Sequence, residues 1–183
     1  MNYIILAFLF IISGFFMKYS DDLYDVSHNV TLSTFFGIIC GIASVLAVIY
    51  NSNAAYIFLS ILIGNLIVLK VDGIHHIVTM IVFLAVLLVA GIPDLSLIVL
   101  LICILSAISD EIGHELIGNM TEDRFLNLFF EYRFVMKIVV LLLALCGAFD
   151  IWIFVCFILF ELSYVGGGIV FEKTIKSDSI QNH

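Results

Sequence analysis

Long apolar stretches separated by short polar connections make up most of this chain. Seven such stretches can be traced, at 3–17, 30–50, 54–69, 75–91, 94–109, 134–149 and 151–170. A helix needs about 20 residues to cross roughly 30 Å of hydrocarbon, so the shorter stretches would have to include flanking residues. The pattern predicts an all-α, polytopic transmembrane helical bundle of about seven spans, and a count of six also fits.

Composition supports a membrane setting. Hydrophobic residues make up 63% of the 183 residues and charged residues only 12%, which is too little polar surface to cover a water-soluble globule of this size. We therefore expect a single transmembrane helical domain over 1–172. Within it, residues 119–133 mix charged and apolar side chains and predict an amphipathic interfacial segment, and 173–183 form a short polar cytosolic tail.

The basic residues indicate an orientation. In a seven-span arrangement every Lys and Arg falls on the same side of the membrane, and the connections at 51–53, 91–94 and 147–150 contain none. Cytoplasmic loops are enriched in Lys and Arg, so the N-terminus is predicted outside and the C-terminus inside. The polar residues beside these cations would then form a site on the cytosolic side.

The net charge of −8 argues against electrostatic binding to nucleic acid or to anionic lipid surfaces. Acidic residues crowded at one end of a helical bundle instead suggest a cation site, because hard cations prefer oxygen ligands. We therefore expect Mg²⁺ or another divalent cation as a cofactor. No nucleic-acid partner is expected, and a homo-oligomer is left open.

The first polar cluster lies between the first two stretches. If this segment is helical, Asp21 and Asp25 lie one turn apart on a shared face, with Asp22 beside them and Asn29 one turn further on. Like charges at this spacing repel by a few tenths of a kcal/mol unless a cation lies between them. The arrangement suits Mg²⁺, which bridges carboxylates to substrate phosphates. A solvated acidic loop is the alternative.

Two further clusters lie on the same predicted side. In the turn after the third stretch, Asp72 and His76 are one helical turn apart, although His75 and His76 could also be only an anchor at the level of the lipid headgroups. After the fifth stretch, one turn carries four groups that could bind a metal: Asp110, Glu111, His114 and Glu115. The second Glu-x-x-His of a di-iron bundle is missing, so a hard-cation site remains the specific interpretation.

Cations near these clusters could bind phosphate. Lys70, Arg124, Arg133 and Lys137 are the candidates, and an arginine guanidinium can hold two phosphate oxygens at once. Interfacial packing explains the segment around Arg124 and Arg133 equally well. Within the apolar stretches, Glu161 and Asn65 are polar groups at membrane depth, where an ionisable residue is a functional candidate.

The order of these clusters resembles the UbiA superfamily of intramembrane prenyltransferases. That family carries an Asn-Asp-x-x-Asp-x-x-x-Asp motif on one helix and an Asp-x-x-x-Asp motif four helices later. Here Asp21, Asp22, Asp25 and Asn29 occupy the first spacing with Asp and Asn exchanged at its ends, Asp110 and His114 occupy the second, and Glu111 and Glu115 repeat that spacing one residue on. The resemblance implies a helical bundle open to lipid, Mg²⁺ on the two motifs, and a prenyl diphosphate whose tail lies in the bilayer.

Three hypotheses about function follow. The first is a Mg²⁺-dependent, prenyltransferase-like enzyme acting on an isoprenoid or lipid (di)phosphate, with Asp22, Asp25, Asp110 and His114 as its catalytic groups. In this hypothesis the metal set also includes Asp21, Glu111 and Glu115. The second is a divalent-cation transporter or channel with an acidic cytosolic mouth, in which Glu161 and Asn65 line the route. The third is a non-catalytic membrane scaffold.

Overall fold

The computed structural model describes residues 2–120, 129 and 133–181. These residues contain seven α-helices and no strand, which confirms the all-α prediction, and each helix overlaps one of the seven apolar stretches. In chain order the helices are α1 (Tyr3–Asp25), α2 (Val30–Tyr50), α3 (Ser52–Ile67), α4 (Ile74–Ala90), α5 (Leu97–Met120), α6 (Phe134–Leu145) and α7 (Ile151–Gln181). Most of the predicted interfacial segment near 119–133 lies outside the described residues. Residues 173–181 of the predicted tail continue α7.

Four helices are long and apolar enough to cross a membrane: α1, α2, α5 over Leu97–Glu115 and α7 over Ile151–Lys176. Four helices of this length and apolar composition are consistent with an integral membrane protein. The remaining helices are apolar but shorter, with 16 residues in α3, 17 in α4 and 12 in α6. At a rise of about 1.5 Å per residue, α6 is only about 18 Å long, well short of the roughly 30 Å of a bilayer core.

Consecutive helices run in alternating directions. Helix α1 contacts α2 and α7, α2 also contacts α3 and α4, α5 contacts α3 and α6, and α6 contacts α7. We call the end of the bundle where α1, α3, α5 and α7 finish the polar end, because every described Lys and Arg lies closer to it than to the opposite end. The packing of α1 on α7, of α2 on α4 and of α3 on α5 joins helices that are not consecutive in the chain.

At the opposite end, hydrogen bonds tie the starts of α1 and α7 together. The Tyr3 hydroxyl donates to Asp150 Oδ2, and the N–H of Trp152 donates to Asp150 Oδ1 at 3.1 Å. These two donors hold the pKa of the Asp150 carboxyl below its usual value, since both favour the ionised form. The Tyr3 ring also stacks on Trp152, so a mixed polar and aromatic contact joins the starts of α1 and α7.

Two glycines let α2 and α4 approach closely. A Cβ added at Gly37 would lie 2.5 Å from Thr79 Oγ1, and one added at Gly41 would lie 2.9 Å from the Thr79 carbonyl oxygen. The Gly-x-x-x-Gly spacing places both on the same face of α2, as in close membrane helix pairs. This contact brings the first turn of α4, with His75 and His76, beside the last turns of α1.

Candidate functional site

A cavity of about 160 Å³ lies between the helices near the polar end. Its polar wall comes from side chains that the sequence places far apart: Asp21, Lys70, His75, His76, Glu111, Arg133 and Tyr164. Towards the middle of the bundle the wall is mostly apolar and includes Met17, Phe58, Ile61, Leu62, Met80 and Phe83. The cavity therefore has a charged end and a hydrocarbon-like end.

Glu111 is the centre of an ion-pair network at the charged end. Its side chain is almost fully buried, and its Oε1 lies 2.6 Å from an Arg133 guanidinium nitrogen, Nη2. Its Oε2 lies 3.1 Å from Lys70 Nζ but has no hydrogen-bond partner, so this second contact is an ion pair outside hydrogen-bonding angles. Lys70 Nζ also lies 3.4 Å from the exposed Glu115 carboxylate. Two predicted phosphate-binding cations thus converge on one predicted metal ligand.

Arg133 is held in an unusual backbone conformation at the start of α6. Its φ of 48° lies in the left-handed region, which is rare for a residue with a side chain. The guanidinium lies 5.5 Å from the centroid of the Tyr164 ring on α7. Burial acts to lower the pKa of Arg133, but the nearby Glu111 and Glu161 carboxylates help to raise it above its usual value, so the guanidinium stays charged.

A second group of side chains joins α1 to the start of α4. Asp21 Oδ1 lies 3.3 Å from His75 Nε2 and 3.6 Å from His76 Nε2. The two imidazole ring centroids are 3.9 Å apart, and the Tyr24 ring packs 4.4 Å from His75. The sequence predicted Asp21 in the site together with one of the two histidines. The structure brings both histidines to Asp21, although adjacent residues on a helix usually face different directions.

The other residues of the first acidic motif do not meet at one point. Asp22 Oδ1 pairs with Lys18 Nζ at 2.8 Å, one turn earlier on α1. Asp25 is exposed at the end of α1. Asn29 caps α2, where its side-chain oxygen accepts the N–H of Leu32 at 3.1 Å. Of this motif, Asp21 is the carboxylate that lines the cavity.

The second motif is also divided. Asp110 is buried, and its two carboxylate oxygens accept the N–H groups of Val135 at 2.9 Å and Met136 at 2.7 Å. These are among the first N–H groups of α6, which have no partner within a helix, so Asp110 caps α6 from a neighbouring helix. His114 is exposed, as is Asp72 in the turn before α4.

The capping contact leads to a prediction about stability. Asp110→Asn should lower the free energy of unfolding by about 1–3 kcal/mol, because the amide keeps one acceptor and leaves a buried backbone N–H without one. Thermal unfolding in detergent, followed by circular dichroism, measures the change. Asp72→Asn, an exposed site, is the control and should leave the midpoint unchanged. Equal unfolding midpoints for the two variants would show that Asp110 does not stabilise the fold by capping α6.

The two polar groups within the apolar stretches, Glu161 and Asn65, have different surroundings. Glu161 on α7 pairs with Lys137 on α6, with 2.9 Å between Oε2 and Nζ, and both side chains are largely buried. Asn65 on α3 lines the main cavity, and with Glu161 it also lines a neighbouring cavity of about 20 Å³. Arg124, the remaining predicted phosphate ligand, lies outside the described residues.

Sequence reasoning missed several contacts that shape the site. Tyr164 was not singled out, although it lies one helical turn after Glu161 on α7. The i, i+4 spacing of Lys18 and Asp22 is a local signal that could have predicted their ion pair. The Gly-x-x-x-Gly spacing of Gly37 and Gly41 likewise could have predicted a close helix contact.

Comparison of the chain with protein-family models, with curated proteins and with solved structures finds no match in any of the three. The resemblance to the UbiA superfamily therefore stays a prediction from the sequence, and the function has to be argued from the site.

Proposed function

We propose that this protein is an integral membrane enzyme that binds an isoprenoid or lipid phosphate in the cavity and acts on it as a prenyltransferase-like enzyme. One observation supports this above all: the cavity joins a charged end, which includes Lys70 and Arg133, to an apolar interior. An amphiphile with an anionic head and a hydrocarbon tail has the same division. Ligand sites typically combine such apolar walls with a few placed polar groups.

The anionic head would lie beside Lys70 and Arg133. Both cations pair with Glu111, and Lys70 also pairs with the exposed Glu115, so a phosphate placed here would compete with these carboxylates for the two cations. The planar guanidinium of Arg133 can bind two phosphate oxygens, whereas Lys70 acts as a point charge. In prenyl transfer the leaving diphosphate gains negative charge, and fixed cations beside it stabilise that change.

The apolar end would hold the part of the lipid next to the phosphate. A dry cavity of roughly 150 Å³ accommodates one benzene-sized molecule, which is close to the size of a single isoprene unit. The cavity of about 160 Å³, which includes its charged end, therefore has room for only a small part of such a lipid, with its hydrocarbon beside Phe58 and Phe83. The rest of a longer tail would extend into the bilayer.

Three of the carboxylates expected to bind Mg²⁺ already have other partners. Mg²⁺ requires oxygen ligands in near-ideal octahedral geometry. Asp22 is paired with Lys18, Asp110 accepts two backbone N–H groups, and Glu111 faces two cations. No catalytic step is therefore assigned to Mg²⁺, and the proposed charge stabilisation rests on Lys70 and Arg133.

We further propose a seven-span topology, with the N-terminus outside and the polar end in the cytosol. The alternation of helix directions and the gathering of the described Lys and Arg residues at one end support this orientation. Helices α3, α4 and α6 are short, so flanking residues or a locally thinner bilayer would have to complete their spans.

A binding experiment tests the proposed ligand. A non-hydrolysable geranylgeranyl diphosphate analogue should bind the purified protein. Lys70→Gln should weaken that binding by about 10-fold or more, because this is the contribution of a hydrogen bond to a charged group. Isothermal titration in detergent micelles measures both affinities. Lys173→Gln, which removes an exposed charge on α7, is the matched control and should bind like the parent protein.

Two outcomes would count against the proposal. Equal binding of the analogue and of uncharged geranylgeraniol would show that the phosphate is not recognised. Binding of geranylgeranyl diphosphate without release of diphosphate, in the presence of membrane extracts as a source of acceptors, would contradict the assignment as an enzyme.

A further inference from the structure

We propose that Asp21, His75 and His76 bind a divalent transition-metal ion of the Zn²⁺ class at the polar end of the cavity. The proposal concerns a metal site made of nitrogen and oxygen ligands, not the all-oxygen Mg²⁺ site expected from the sequence. It does not depend on the identity of the lipid, and it stands or falls separately from the proposed function.

The distances between the ligand atoms fit such an ion. Asp21 Oδ1 lies 3.3 Å from His75 Nε2 and 3.6 Å from His76 Nε2, and one ligand atom from each residue lies within 4.8 Å of the other two. A tetrahedral Zn²⁺ with ligands at about 2.0–2.1 Å keeps the ligand atoms about 3.3 Å apart. Small changes in side-chain torsions would therefore complete the coordination without moving a helix.

The surrounding structure holds the donors in place. His75 is 2% exposed, and its ring packs against Tyr24 and His76. Gly73 leaves room for this ring, since a Cβ there would lie 2.6 Å from His75 Nδ1. Ligand groups fixed by packing lose little freedom when an ion binds, which favours binding.

The same imidazole also has a buried ring nitrogen without a hydrogen-bond partner among the described residues. This atom is His75 Nδ1, whereas Nε2 of the ring contacts Asp21 Oδ1 at 3.3 Å. Buried polar atoms without partners are rare and call for an explanation, such as a bound ion or water. A metal ion at Nε2 would fix the tautomer with the proton on Nδ1, and this N–H would then need an acceptor such as an ordered water.

The chemistry of the donors selects the class of metal. Neutral imidazole suits Zn²⁺, Fe²⁺, Ni²⁺ and Cu²⁺, whereas Mg²⁺ prefers oxygen ligands and several waters.

The site also leaves room for a further ligand. Three protein ligands leave at least one coordination position for water or substrate, as in catalytic zinc sites. All three residues line the cavity.

Metal binding can be measured on the full-length protein, purified in detergent without a polyhistidine tag. We expect one Zn²⁺ per chain by elemental analysis after dialysis and by isothermal titration. Asp21→Asn and His76→Gln should each weaken Zn²⁺ binding by at least about tenfold. His28→Asn is the matched control, because His28 is exposed in the turn after α1 and asparagine tolerates its positive φ. Its affinity should equal that of the parent protein.

Several results would overturn the site. They are the absence of stoichiometric Zn²⁺ binding, unchanged affinity in Asp21→Asn, or displacement of Zn²⁺ by an equal concentration of Mg²⁺. Asp21→Asn conserves volume, so it decides the question even if His76→Gln fails to fold. An independent test on the unmodified protein replaces Zn²⁺ with Co²⁺ and records the visible absorption spectrum. Strong absorption by the bound Co²⁺ would support tetrahedral nitrogen and oxygen ligation. The weak absorption of hexa-aqua Co²⁺ would contradict it.

Discussion

Replacing Arg133 with methionine is expected to lower the free energy of unfolding by about 3 kcal/mol. Breaking a buried ion pair from one side costs about 3–5 kcal/mol, because the remaining charge is left without its partner. Glu111 is only 4% exposed and its Oε1 lies 2.6 Å from the guanidinium, so it would become that unpaired charge. Lys70 still faces Oε2, which places the expected loss at the low end of the range.

A double variant and a surface pair make this prediction specific. Arg133→Met combined with Glu111→Gln should regain much of the lost stability, since neutral glutamine costs less to bury than an unpaired carboxylate. Lys176→Met removes one partner of an exposed pair with Glu172, where both side chains are about three-quarters exposed, and should cost less than about 1 kcal/mol. Thermal and denaturant unfolding in one detergent measures all three. If Arg133→Met cost no more than Lys176→Met, the buried network would not be a stabilising feature.

Neighbouring glycines on α7 should respond in opposite directions to the same substitution. A Cβ at Gly167 would lie 2.6 Å from the carbonyl oxygen of Phe15 on α1, whereas a Cβ at Gly166 meets no atom within 4 Å. Gly167→Ala should therefore destabilise the protein by about 1–3 kcal/mol, because a backbone carbonyl cannot rotate away as a side chain can. Gly166→Ala should be neutral or stabilise by up to about 1 kcal/mol, since alanine favours the helix.

The paired design controls for helix propensity, because both substitutions have the same intrinsic effect within α7. The midpoint of thermal unfolding in detergent is again the measurement. A similar shift for both variants, in either direction, would mean that α1 and α7 do not approach as closely as the structure has them. Gly14 offers a second check from the α1 side, since a Cβ there would overlap the carbonyl oxygen of Phe160.

Much of the fold could be predicted from the sequence because lipid imposes a simple rule. Backbone polar groups in hydrocarbon must be satisfied within the chain, so a long apolar stretch becomes a helix. The seven apolar stretches and the seven described helices correspond for this reason. Their lengths were harder to predict, because polar residues extend α1 to Asp25 and α7 to Gln181, whereas α6 already ends at Leu145.

The candidate site was predicted less completely, because spacing along one helix does not say which neighbour each side chain meets. Asp21 and Asp22 are adjacent in sequence, yet Asp21 contacts two histidines from α4 while Asp22 pairs with Lys18. Asp110 and Glu111 divide in the same way between the cap of α6 and the ion-pair network. A motif read as one metal-binding unit becomes several separate contacts once the helices are packed.

The sequence by itself determined where the helices form and that charged residues gather towards one end. It also indicated a membrane setting, and four of the helices are long enough to cross a membrane. These follow from the cost of placing polar groups in hydrocarbon, which acts on each segment alone. The tertiary structure alone decided which polar groups meet. Those contacts depend on close helix approaches, such as that of Gly37 and Gly41 against Thr79, and such approaches join residues many turns apart in the chain.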